Sequence, residues 1–201
     1  MKTIITFLLS LSFIFSNYNQ FNQAFINVSK EQSPAIVSIV SEKTEKVNNM
    51  FFFNPFDDFG FEEDSRQQER KAQSLGSGVI INKNKGYIIT NNHVIEGADE
   101  ITVILYDETE FSAQLLGRDP KADIAVLKIE PGDKNLTSVD WGDSDSMRVG
   151  DWTIAIGNPL GLGGTVTAGI LSAISRDIGS GPYVKFLQTD ASINRGNSGG
   201  P

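Results

Sequence analysis

A chain of 201 residues can hold one ordinary domain or two small ones around a sizeable core, and its 39% hydrophobic and 21% charged content is that of a soluble globular protein. The net charge of −8, from 17 basic and 25 acidic side chains, argues against nucleic acid as the main partner. The absence of cysteine excludes disulfides and thiolate metal sites and leaves the redox compartment open.

Met1 and Lys2 precede an apolar run, Ile4 to Phe15, interrupted only by Thr6, Ser10 and Ser12. That length suits the h-region of an export signal and is short for a membrane span. A signal peptide is expected over residues 1–24, with no stable membrane span. No small-x-small cleavage site follows, so the boundary, and with it an uncleaved anchor, stays open. A buried helix of the domain is the alternative, disfavoured by the position at the chain start and the basic flank.

SPAIVSIV (33–40) reads as a β-branched strand. Residues 45–74 lack a steady period, crowd Phe51, Phe52, Phe53, Phe56, Phe59 and Phe61 together with an acidic run, and read as a long surface loop. Five strand-like runs follow: SGVIIN (77–82), GYIITN (86–91), EITVILY (100–106), FSAQLLG (111–117) and DIAVLKI (123–129). Turn signals separate them, at Asn84-Lys85-Gly86, Glu96-Gly97, Asp107-Glu108 and Asp119-Pro120. Short strands at this spacing predict an all-β unit over 25–130 that is closed or sandwiched. After the polar stretch 131–146, DWTIAIG (151–157), TVTAGILSAIS (165–175) and VKFLQTD (184–190) begin a second unit, over 131–201, with half the strands of the first.

INRGNSGGP closes the chain and sets Ser198 among Gly196, Gly199 and Gly200. A serine hydroxyl is a weak nucleophile unless a base takes its proton, and the base needs an orienting group. The one histidine is His93, in TNNHVI. Asp123 is a candidate orienter: it opens an apolar strand, where an acid should be partly buried and want a hydrogen-bond donor. Its neighbour Asp119 fits an ordinary turn better. Gly196-Asn197-Ser198-Gly199-Gly200 also satisfies the G-x-S-x-G elbow of α/β-hydrolases, but that fold places its histidine after the serine and helices between its strands. The order His, Asp, Ser on an all-β pattern is that of the chymotrypsin class.

Four blocks, TNNHVI, RDPKADIAVLKI, GNPLGLGGTVTAGILSAISR and QTDASINRGNSGGP, resemble in order the successive blocks of the Do-like (HtrA/Deg) serine endopeptidases of bacterial envelopes. The resemblance runs from about Phe25 to Pro201. It implies an all-β, chymotrypsin-like fold of two six-stranded antiparallel β-barrels, the second incomplete here and the chain truncated at its C-terminal side. It implies His93 as general base, Asp123 as its orienter and Ser198 as nucleophile, with the N–H groups of Gly196 and Ser198 as the oxyanion hole and Asn197 shaping the turn. Asn197 stands where digestive-type relatives carry an aspartate that pairs with a new N-terminus, so zymogen cleavage is not the expected switch. Ile193 would line the base of the specificity pocket and favour small aliphatic P1 side chains.

The same resemblance implies an ATP-independent endopeptidase degrading misfolded envelope proteins in the periplasm, a homotrimer or a multiple of it, and PDZ domains downstream. It implies no metal and no cofactor. GNPLGLGG (157–164) matches no phosphate-binding pattern; with 176–183 it belongs, by resemblance, to the region that orders the active site. The Phe-rich loop resembles one used in oligomer contacts, or else is a disordered cover. Asn27-Val28-Ser29 and Asn135-Leu136-Thr137 match the glycosylation sequon, which arises often by chance. The rival from another class is a chaperone or peptide-binding protein without proteolysis. Half a barrel exposes unpaired edges, so the 201 residues expressed alone are expected to be poorly folded and nearly inactive. Casein turnover by this chain that Ser198→Ala abolishes would refute that expectation.

Overall fold

In a computed structural model, the described residues are 20–46, 69–158, 164–177 and 184–201. Among them the β-branched runs become ten strands: β1 (Ile36–Lys46), β2 (Glu69–Asn82), β3 (Tyr87–Thr90), β4 (Glu100–Ile104), β5 (Glu110–Ser112), β6 (Gln114–Asp119), β7 (Ile124–Lys128), β8 (Trp152–Gly157), β9 (Thr165–Arg176) and β10 (Phe186–Thr189). Helix α1 covers residues 20–32, and the one-turn helix α2 spans Asn92–Ile95.

Seven strands form one sheet in the order β5-β4-β1-β2-β3-β7-β6, every neighbouring pair antiparallel. The two ends of that order are consecutive in sequence. Only Ala113 separates β5 from β6, and its N–H is donated to Ile101 O of β4. They are one bent strand that pairs with β4 through its first half and with β7 through its second. The sheet therefore closes as a six-stranded barrel, which removes free edges.

Period-two alternation sends Val37, Ile39, Ile80, Ile88, Val103 and Leu127 into the barrel, all fully buried. Ile36 and Val79 face the other way and pack with Ala35 and Ile156 of β8. Both faces of β1 and β2 are thus apolar here, which is why 33–40 reads as a nearly continuous apolar run. Thirteen buried residues fill the barrel against four in the second cluster. At about 1.5–3 kcal/mol for each fully buried large aliphatic side chain, the barrel interior is the dominant source of stability.

The other sheet has three antiparallel strands, in the order β10-β9-β8. It is strongly curled: the hydroxyls of Thr153 and Thr189, on its two outer strands, meet at 2.6 Å across β9. The all-β, chymotrypsin-like expectation matches this arrangement of a closed barrel and a curled half-barrel.

Several local expectations change. The segment 45–74 is not loop throughout: β1 and β2 stay paired out to Lys46 and Glu69, so strand occupies both of its ends. The Phe-rich centre, the sequence before residue 20, and residues 159–163 and 178–183 lie outside the described residues. Helix α1 is new. Phe21 and Phe25, one turn apart, turn the same way and stack edge-on against Trp152, at 5.1 and 5.5 Å. No described helix is long and apolar enough to cross a membrane.

The connection between the two sheets is tied to the barrel by Lys134, which pairs with Asp107 and donates to Thr109 Oγ1 at 2.9 Å. Hydrogen bonding from Lys134, then from Thr109, lowers the Asp107 pKa from 3.8 to about 2. A carboxyl whose pKa falls on folding stabilises the fold above its unfolded pKa and loses that contribution as it protonates. The contribution is expected to be whole above pH 3.8 and to vanish as the pH falls through about 2. Thermal unfolding of Lys134→Met across that interval should show a shallower loss of Tm than the parent.

Candidate active site

β3 ends at Thr90, and the chain makes a single helical turn carrying His93. A helix start leaves backbone N–H groups without partners, and Asn91, at the cap position, offers no side-chain acceptor. Asp123 supplies the acceptors from the start of β7, the strand paired with β3. Its carbonyl accepts from Asn92 N–H at 3.1 Å and from Asn91 Nδ2 at 2.9 Å, and its Oδ1 accepts from His93 N–H at 2.8 Å. To present all of these, Asp123 adopts φ +54° just before β7, a left-handed conformation that aspartate tolerates better than most residues.

The second carboxylate oxygen lies 2.7 Å from His93 Nδ1. A carboxylate can only accept, so a neutral imidazole must carry its proton on Nδ1 and keep the lone pair on Nε2. One acid therefore shapes the helical turn, fixes the ring orientation and selects the tautomer. Both side chains stay about half exposed, at 53% and 43%.

Ser198 lies in two successive tight turns. Asn197 N–H is donated to Asn194 O at 3.1 Å, and Gly200 N–H to Asn197 O at 2.9 Å. Gly196, at φ +93°, and Gly199, at φ +87°, take conformations open to glycine and costly for other residues. The turns dock on β2 through Ser77, whose N–H is donated to Ser198 O at 2.8 Å and whose hydroxyl is donated to Gly196 O at 2.6 Å.

The same docking brings the His93 and Ser198 segments together. Ser77 O accepts the Thr90 hydroxyl at 2.7 Å, and a Cβ placed on Gly199 would lie 2.2 Å from both Ser77 O and Thr90 Oγ1. Three residues before His93 and one after Ser198, the two segments rest on one carbonyl. Among the described residues, the N–H groups of Gly196 and Ser198 are donated to no acceptor.

Asn197 is buried beneath the turn. Ile193 is 60% exposed; its neighbour Ser192 is held by a 2.8 Å hydrogen bond from Thr167 to its carbonyl. Asp119 turns its carboxylate to the N–H groups of Lys121 and Ala122, an ordinary turn, and not to His93. Three residues that shape the site escaped the sequence reading: Ser77, Thr90 and Asn158, whose N–H is donated to Ser77 Oγ at 2.9 Å. The only trace of Ser77 in the sequence is a serine between two glycines just before the apolar run 79–81.

Comparison with known proteins gives the family. A family model described as a trypsin-like peptidase domain matches residues 76–201. The probable periplasmic serine protease do/HhoA-like of Haemophilus influenzae is 50% identical over 182 residues, covering 83% of this chain and 38% of that protein. The periplasmic serine endoprotease DegP of Escherichia coli K12 is 54% identical over 134 residues, covering 66% of this chain and 28% of that protein. A solved structure, the HtrA-type protease AlgW with decapeptide, aligns with a TM-score of 0.68 at 44% identity, covering 88% of this chain and 54% of the other. The chain thus spans well under half the length of these two curated relatives.

Gly199→Ala tests the docking directly. The added methyl would meet backbone and side-chain oxygen at 2.2 Å in a left-handed conformation. A loss of about 3 kcal/mol or more is expected, read by urea unfolding.

Proposed function

Since the chain belongs to the trypsin-like peptidase family, we propose that it carries the active centre of a serine endopeptidase of the HtrA/Deg kind, with His93 as general base, Asp123 as its orienting partner and Ser198 as nucleophile. The observation that carries this reading is the two-oxygen grip of Asp123 on His93, Oδ1 to the backbone N–H and Oδ2 to Nδ1. Ser198 Oγ attacks the peptide carbonyl while His93 Nε2 takes its proton. The negative charge that develops on the carbonyl oxygen is received by the N–H groups of Gly196 and Ser198, worth roughly 3–4 kcal/mol each in comparable sites. His93 then hands the proton to the departing amine. Water, deprotonated by the same nitrogen, releases the acyl group and restores Ser198.

The substrates proposed are misfolded or damaged proteins of the bacterial envelope, cleaved in the periplasm after export and without ATP. Ile193 is proposed to line the pocket for the residue before the scissile bond, favouring small aliphatic side chains. Trimeric assembly is proposed through the α1 face, where Phe21 and Trp152 remain 45% and 55% exposed beside each other. Exposed aromatic surface of this kind marks contact sites. A purely chaperone-like role is the competing reading, and an oriented base has no use in it.

The test is unfolded casein with the complete gene product. Ser198→Ala should abolish cleavage and labelling by a fluorophosphonate probe. Asp123→Asn should lower kcat on the order of 10³–10⁴-fold, because the amide favours the wrong tautomer. Binding of casein with no cleavage and no labelling would favour the chaperone reading. A peptide library cleaved mainly after lysine or arginine would overturn the role given to Ile193.

A further inference from the structure

We propose that the Ser77 hydroxyl is a positioning group for the oxyanion turn, holding the Gly196 carbonyl so that the N–H groups on either side of it aim at one point. The inference rests on the proteolytic reading above and deepens it. A hydroxyl has one hydrogen to give. That of Ser77 goes to Gly196 O at 2.6 Å, while its oxygen accepts Asn158 N–H at 2.9 Å. With both roles used and the side chain fully buried, the hydroxyl has no other partner to rotate toward. Its position is set by β2 below and by the end of β8 beside it.

The peptide it holds is the one between the two N–H donors. Peptide groups are planar, so fixing a carbonyl fixes the amide across it. The Gly196–Asn197 peptide is held at both ends, by Ser77 Oγ on its carbonyl and by Asn194 O on its N–H. The next peptide carries the Ser198 N–H and is held through its carbonyl by Gly200 N–H. The Ser198 carbonyl is in turn held by Ser77 N–H. With the Gly196 carbonyl fixed, only the φ and ψ of Gly196 separate its N–H from a held peptide plane. Ser77 thus grips the turn twice, once on each side of Asn197.

Ser38 supplies the comparison that separates positioning from plain stability. It is equally buried, lies on the neighbouring strand and donates its hydroxyl to Asn158 O at 2.6 Å, yet no hydrogen bond joins it to the turn among the described residues. The complete gene product should be compared as parent, Ser77→Ala, Ser77→Cys, Ser38→Ala and Ser198→Ala, recording kcat, KM, Tm and the rate of fluorophosphonate labelling.

Ser77→Ala is expected to lower kcat and labelling by about ten- to a hundredfold, less than the loss of an oxyanion donor itself, with KM changed less than about threefold. Ser38→Ala should lower Tm comparably and leave kcat within about threefold of the parent. Ser77→Cys, close in volume and a weaker donor, should fall between parent and alanine. Equal kcat in the Ser77→Ala and Ser38→Ala proteins overturns the proposal. If the alanine protein does not fold, Ser77→Cys decides: kcat below that of Ser38→Ala supports the proposal, and equality overturns it. A parent indistinguishable from Ser198→Ala overturns the proteolytic reading, and this inference with it. An active parent with an unaffected Ser77 variant overturns this inference alone.

Discussion

Burial of β2 on both faces is the constraint from which the rest of the structure follows. One face fills the barrel with Ile80; the other meets the second sheet through Val79 and Ile156 and carries Ser77 under the glycine turn. A strand covered twice cannot slip by one residue without sending an isoleucine outward and a serine inward. Its register with β1, from Ile36↔Val79 to Lys46↔Glu69, is therefore fixed by packing. Because the turn is tied to that strand by Ser77 N–H and Oγ, the register of the sheet also sets the height of Ser198 above the barrel.

Polar groups carry this arrangement where apolar packing cannot. Leaving a buried donor or acceptor unpaired costs about 1–3 kcal/mol, comparable to the burial of a whole isoleucine side chain. Between the barrel and the second sheet, Ser38, Ser77, Thr90 and the backbone of Asn158 satisfy one another and the turn. The oily contact there is small, four buried residues, so the two bonds of Ser77 to the turn decide how it is seated, while Ser38 only satisfies the Asn158 carbonyl. On the other side of the site, Asp123 does for α2 what Ser77 does for the glycine turn. It brings acceptors from a neighbouring strand, remote in sequence, to a segment too short to hold its own shape.

Much of this was legible in the sequence. The runs 77–82, 100–106, 123–129, 151–157 and 165–175 each contain a strand, because β-branched residues between turn signals have few other uses. His93 and Asp123 could be singled out as a rare base and an out-of-place acid, and they are in direct contact; their roles, with that of Ser198, remain the proposal made above. The rest was hidden for physical reasons. A four-residue helix has no period to detect, and α2 depends on Asp123, remote in sequence. The outer parts of β1 and β2 are polar because the arm leaves the barrel, so no alternation marks them. In α1 a polar sequence around Phe21 and Phe25 masks a single apolar face. Ser77 looks like a solvent-side serine until the element above it is known.

The bent strand formed by β5 and β6 has a kinetic side. Both of its pairings are hairpins with near neighbours in sequence, β4 before it and β7 after it. The distant partnership is elsewhere, between β1 and β4, where Ser38 meets Ile104. Loop-closure entropy must be spent on such remote contacts before burial rewards them, and pairings of this kind slow folding. The costliest closure in this barrel is therefore the one that brings the N-terminal strand to β4. The seam that looks like the last join in the finished fold asks only for short loops.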